Sequence, residues 1–543
     1  MTLFFHLLAT AVTILSGLGL LSLLRRPGIR ARALSERIGL GYLVGIVFVA
    51  CEILLLGKVG ARVSPAMLYV LQVPAVALFA IDRAKRRGRP VGSPAAPAVT
   101  REPGRLRRAG WAWIVLALIG TKLAWVLSMN LTDLLRTDDA FRCALGLARH
   151  VRDAGTIAGF DLPPGYPRLP GLILAWFGMS GGGWNEFAVN LAHWNYYAVF
   201  LLLFHANLRA RTGAAESLLG TYLLSGFPLL LVHAVMVGYA DLPMAIFVCF
   251  AGTYTYRFAC SGNGDDLALA LFFVAALPGV RLEGKVPYLP IALWSILAAC
   301  AFRRGILRPA QVWLLTGALY AAAVAAVFLL ERRYGVAGPP LLRGVWGNIL
   351  PGNRLAQIGE PLLDHFGWAY NNWMVVGTAV AIAFPLLSIR SRRTPEGVLA
   401  LYGLLLLGSF VYLYGVGGAY LWLLDGTVVD RSFLQILPAL LYGAVVMISL
   451  SMQEGGGDVE IVQTGVGEDD RGDPEGKQSR AAIRSLVCAP TESGPPARCL
   501  SGIGCRPAEG RGRRPRAPRA WDPRAPFAAC APSPRRHRAS RGL

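Results

Sequence analysis

Charge is scarce in this sequence. Only 16% of its 543 residues are Asp, Glu, Lys or Arg, against about 25% in ordinary soluble domains. A soluble chain of this length would divide into several charged domains, and the shortage excludes that class. The nine cysteines form no framework. Cys51, Cys249, Cys260 and Cys300 lie in apolar runs, Cys143 stands alone in a loop, and four sit near the C-terminus. No spacing among them suits a disulfide scaffold or a metal site. Short alternating strands are missing as well, which excludes an outer-membrane type of barrel. The first apolar run, residues 3–24, has neither a basic region before it nor a small-residue cleavage site after it. It reads as a retained span and not as a signal peptide.

What is present is apolar residue in long runs. Hydrophobic residues make up 54% of the chain, and the mean hydropathy is +0.47. Runs of about 17 to 24 residues match a hydrocarbon core of about 30 Å at 1.5 Å per residue. Candidate spans fall at residues 3–24, 39–57, 67–81, 111–131, 187–206, 218–235, 242–259, 267–280, 286–302, 312–330, 373–389, 398–414 and 433–450. The expected fold is all-α, a polytopic transmembrane helical bundle of about 13 spans. A shorter apolar piece, 169–178, is expected as an interfacial or re-entrant helix.

The formal charge of +22 resembles a nucleic-acid signature, but the cations sit in loops between spans and in the tail. The positive-inside rule and solvation account for them, so no nucleic-acid partner is expected. Four parts follow: N-terminal spans at 1–81, a basic cytoplasmic linker at 82–110, a transmembrane catalytic domain at 111–452, and a disordered tail at 453–543. The tail reads either as an out-of-frame translation of GC-rich DNA from about residue 480, or as a basic tail on the cytoplasmic membrane surface. Resequencing the 3′ end of the gene separates the two. With the linker inside, alternation puts Arg209, Arg257, Arg303 and Arg390 inside as well. The loops around Asp138, Asp241, Arg281 to Lys285 and Asp430 then fall outside.

Four charged features share that outer side. Asp138 and Asp139 are adjacent in a polar loop, 130–170, that also holds Tyr166; the pair is either a helix-end cap or a working site, because charge beside lipid is kept where binding or chemistry uses it. Asp241 opens a span with Pro243 in its first turn, as an N-cap would. Arg281, Glu283 and Lys285 lie between two apolar runs, where a snorkelling turn is the plainer explanation. Arg431 follows Asp430 before the last span, where a local ion pair would suffice. Together they suggest a lipid-phosphate site. Arg offers a bidentate fork and Lys a point charge, while a carboxylate serves as a base or holds a divalent cation.

The motifs also resemble a known group. Thr137-Asp138-Asp139-Ala140-Phe141-Arg142-Cys143-Ala144 looks like the acidic first outer-loop motif of GT-C superfamily glycosyltransferases, the bacterial aminoarabinose lipid A transferases and the protein O-mannosyltransferases among them. Pro164-Gly165-Tyr166-Pro167 is similar to the piece that closes their loop. Ala240-Asp241-Leu242-Pro243, Val280-Arg281-Leu282-Glu283-Gly284 and Asp430-Arg431-Ser432-Phe433 resemble three further stretches, in the same order. The likeness covers about residues 111–450. It departs from the group in having three spans ahead of the acidic loop, Asp in place of Glu as the second acid, and Cys143 in place of an aromatic.

The resemblance implies a polyprenyl-phosphate-sugar donor, an acceptor that is a lipid, glycan or protein, and inversion at the anomeric carbon. It implies a bacterial cytoplasmic membrane with the active site on the outer, periplasmic side, in the service of the cell envelope. In that scheme Asp138 is the catalytic base and Asp139 orients it or the acceptor, or binds a metal. Arg281, Lys285 and Arg431 neutralise the departing phosphate, and Glu283 positions them; Tyr166 and Asp241 complete the substrate-binding set. The competing expectation is a transporter or flippase of a lipid-linked or anionic solute. That class predicts charges deep in several spans and an internal repeat, and the sequence shows no repeat.

Overall fold

The computed structural model describes residues 1–23, 32–87, 109–132, 143–162, 166–306, 374–391, 395–411 and 429–455, with isolated positions between 311 and 318. Every regular element among them is a helix. In chain order these are α1 (Thr2–Leu23), α2 (Leu34–Lys58), α3 (Pro65–Arg87), α4 (Ala109–Thr132), α5 (Ala144–Ala154), α6 (Leu169–Met179), α7 (Glu186–Arg209) and α8 (Ala214–Gly226). Then come α9 (Pro228–Val235), α10 (Asp241–Ser261), α11 (Gly264–Val280), a π-helical turn (Gly284–Tyr288), α12 (Leu289–Arg303), α13 (Met374–Ser391), α14 (Glu396–Val411) and α15 (Val429–Gly455).

Seven of the described helices are long and apolar enough to cross a membrane, or eight if α8 and α9, bent by 63° at Phe227, make one span. The fold is therefore all-α and of the kind a membrane protein carries. Other expected spans are helical but fall short: α11 has 17 residues and α14 has 16. The expected span at 312–330, most of the linker and nearly all of the tail lie outside the described residues. Large apolar side chains face outward on α1 and α4, Phe4, Leu7, Trp113 and Ile114 among them, as lipid-facing surfaces require.

The short piece expected as an interfacial or re-entrant helix is enclosed by protein. Pro170 through Met179 of α6 are all buried, with α2, α5 and α7 as neighbours. At about 1.5 Å per residue, eleven residues cannot cross, and a helix apolar all round belongs inside protein. Trp176 anchors it, donating Nε1–H to Thr13 Oγ1 on α1 at 3.0 Å.

The N-terminal helices share this core. Tyr42 of α2 lies against Phe177 of α6 and Tyr196 of α7. Helices α1 and α2 approach backbone to backbone, where small residues allow the contact that dispersion rewards. Gly41 and Gly45 have the spacing for it on α2, and a Cβ on Gly45 would overlap the Thr13 carbonyl oxygen. Gly45→Leu is expected to cost ~3 kcal/mol, the upper end of overpacking penalties. The thermal midpoint of the purified protein checks this, and an unchanged midpoint would contradict the crossing.

At one end of α10 a buried charge network ties four helices together, α2, α7, α10 and α11. Arg32 donates to Glu36 and, at 2.6 Å, to Asp266; Arg257 donates to Glu36 at 2.7 Å and to Asn207 at 2.8 Å, and its Nε lies 3.2 Å from Asp266. The Tyr254 hydroxyl donates to Glu36 at 3.0 Å. Two cations and two anions cancel, as burial demands. The other end of α10, about 24 Å away by helix rise, carries Asp241.

Candidate functional site

Asp241 is the first residue of α10, after Ala240, and makes no capping bond to its own helix. Its side chain is fully buried. The carboxylate pairs with Arg281 and accepts from Arg431 Nε at 3.0 Å and from Gln435 Nε2 at 2.8 Å. His233 Nδ1 stands 3.8 Å away. A lone buried carboxylate would be costly, and here two guanidinium groups and an amide offset that cost. The plainer reading of Asp241 is thereby displaced, and Arg431 gains a partner beyond its own neighbourhood. Asp241 is not an N-cap, and Arg431 reaches an acid 190 residues away in the sequence.

Local structure explains the meeting. Helix α11 ends where Arg281 turns extended, at φ −160° and ψ 164°, so the chain leaves the helix and Arg281 swings toward α10. Arg281 Nε also pairs with Glu283 at 2.9 Å. The π-helical turn that follows folds back so closely that a Cβ on Gly284 would overlap the Leu277 carbonyl oxygen. Such π turns are rare and are frequently found at functional sites. On α15, Arg431 and Gln435 are four residues apart and share one face. That face meets α10, one of the neighbours of α15.

A small cavity of about 40 Å³, partly open to solvent, lies beside this cluster. Arg281, Arg431, Tyr239, Cys143, Tyr166 and Pro167 are among the residues that line it. The Arg431 guanidinium lies 4.4 Å from the centre of the Tyr239 ring, a cation–π contact. His193 fixes the loop below, its Nε2 accepting the Gly238 N–H at 3.3 Å where Gly238 has φ +94°.

Of the sequence-derived candidates, Tyr166, Arg281 and Arg431 line the cavity, Glu283 braces Arg281, and Asp241 lies behind the arginines, out of the cavity's reach. Lys285 is exposed on the π turn next to exposed Val286. Asp138 and Asp139 lie outside the described residues; Cys143, on the cavity wall, follows them by five and four positions. Gln435, Tyr239, His193 and His233 were not among the candidates. The four-residue step from Arg431 to Gln435 was the signal available for the first, and nothing in the sequence marks the two histidines.

No group of three or more His, Cys, Asp or Glu among the described residues could hold a metal ion. Chemically, the cavity offers two oriented guanidinium groups beside a mostly apolar wall, an arrangement suited to an oxyanion on an apolar carrier. No family model, curated protein or solved structure matches the chain.

Proposed function

We propose that the chain is a membrane-integral glycosyltransferase of GT-C type, with about thirteen crossings and a site on the outer face of a bacterial cytoplasmic membrane. It moves a sugar from a polyprenyl phosphate to a lipid, glycan or protein acceptor. The acceptor oxygen or nitrogen attacks the anomeric carbon as the bond to the phosphate oxygen breaks, and the bonding pair leaves with the polyprenyl phosphate. The acceptor proton passes to Asp138. Arg281 and Arg431 meet the charge on the departing phosphate, and Lys285 adds a third cation at the rim. One observation carries this reading. Three charged motifs, at 241, 281–283 and 431, meet beside one cavity that is also lined by Cys143, which follows the acidic pair closely in the sequence.

Membranes supplied with labelled polyprenyl-phosphate sugars are expected to show transfer to an endogenous acceptor. Arg281→Ala should raise the donor concentration needed for half-maximal rate by about 10- to 100-fold, the worth of a hydrogen bond to a charged group at 1.5–3 kcal/mol. Unchanged donor dependence would count against the assignment.

The transporter reading gains something from Glu52 and Lys122, which lie well inside α2 and α4. Both are occupied away from the cavity. Glu52 accepts from Gln72 of α3, and Lys122 lies 4.0 Å over the Tyr222 ring and 3.4 Å from Ser225. Neither lines the cavity, so the pathway that reading requires gains no continuity from them.

A further inference from the structure

The cation pair at the cavity wall is almost neutralised from behind. Arg281 and Arg431 bring two positive charges, while Asp241 and Glu283 bring two negative ones. On net charge alone, both carboxylates weaken an anion site, and removing either should strengthen it. The geometry separates them. Among the described residues Glu283 pairs with Arg281, and its side chain is 23% exposed. Asp241 has no exposure at all and holds both arginines at once, one on each oxygen, with Gln435 fixing the carboxylate itself. Arg431 is further set by the Tyr239 ring beneath it.

A guanidinium is a planar fork that rewards an oxyanion only in the right orientation. A long arginine side chain left to itself carries rotamer entropy, and ordering it on binding costs about 0.5–1.5 kcal/mol. Two arginines locked by one buried carboxylate have met that cost before the ligand arrives. From this juxtaposition we infer that Asp241 is a positioning residue, one that touches no substrate and sets Arg281 and Arg431 as a single clamp for a phosphate group on an isoprenoid chain. The inference rests on the donor assignment made under Proposed function.

The two carboxylates therefore have opposite expected signs. Geranyl phosphate serves as the probe, with geraniol as its uncharged control, and binding is measured calorimetrically on the purified full chain in detergent. The native protein should bind geranyl phosphate at least tenfold more tightly than geraniol. Glu283→Gln should tighten phosphate binding, since it removes an opposing charge while Asp241 keeps the clamp. Asp241→Asn removes the same charge yet should weaken binding by tenfold or more. In an Arg281→Ala, Arg431→Ala background, Asp241→Asn should add no further loss, because it acts only through those side chains.

Tighter or equal binding by Asp241→Asn would overturn the inference and leave the donor assignment standing. Equal affinity of the native chain for geranyl phosphate and geraniol would end both. Should Asp241→Asn fail to fold, Asp241→Glu keeps the charge but displaces both arginines by a methylene. It is expected to lose about fivefold or more in affinity, and full affinity in that variant would also overturn the inference.

Discussion

Asp138→Asn is expected to lower sugar transfer by about 10²- to 10⁴-fold, the usual worth of a positioned general base. The amide keeps the size and the hydrogen-bonding reach of the carboxylate and loses only its capacity to take a proton. Protein level and membrane insertion should stay as they are, because the substitution changes neither the size of the side chain nor the apolar runs. Initial rates on membranes matched for protein content test this. A fully active Asp138→Asn variant would remove the base from the mechanism, whatever happens at the arginines.

The largest expected effect on stability lies at the far end of α10. Arg32→Met should cost 3–5 kcal/mol, the typical penalty for breaking a buried ion pair. It leaves Glu36 and Asp266, each with a side chain 4% exposed, to share Arg257 alone. Adding Asp266→Leu should recover much of the loss, since one cation then faces one anion and apolar replacements of buried pairs are often tolerated. Thermal unfolding of both variants in detergent checks the pattern. A single variant as stable as the native protein would show that the network carries no net weight, and an additive double variant would show that Arg32 and Asp266 act separately.

The helical class was legible in the sequence because apolar runs of membrane length have few other uses. The number of crossings was less so. Helices such as α10 and α11 are apolar in composition, yet they carry buried polar groups or stop short. Helix α6 was expected as interfacial or re-entrant, and its enclosure by protein was not legible, because length and hydropathy cannot tell a helix at a lipid surface from one inside the bundle. The charged motifs were visible as local clusters, and their partners were not. Arg431 was read beside its neighbour Asp430, and the acid it also meets, Asp241, is brought to it by the contact between α10 and α15. Pairing across such distances along the chain is a tertiary fact, and only residues such as Gln435, placed by helical periodicity, leave a local trace.

The network around Arg32 also bears on how the protein is made. Arg32 and its acceptor Asp266 are separated by 234 positions, and translation adds about 5–20 residues per second. For roughly 12 to 47 seconds at that pace, Arg32 has Glu36 beside it while Asp266 has yet to leave the ribosome. The network on α2 is completed only when the hairpin of α10 and α11 arrives as the latch that closes it.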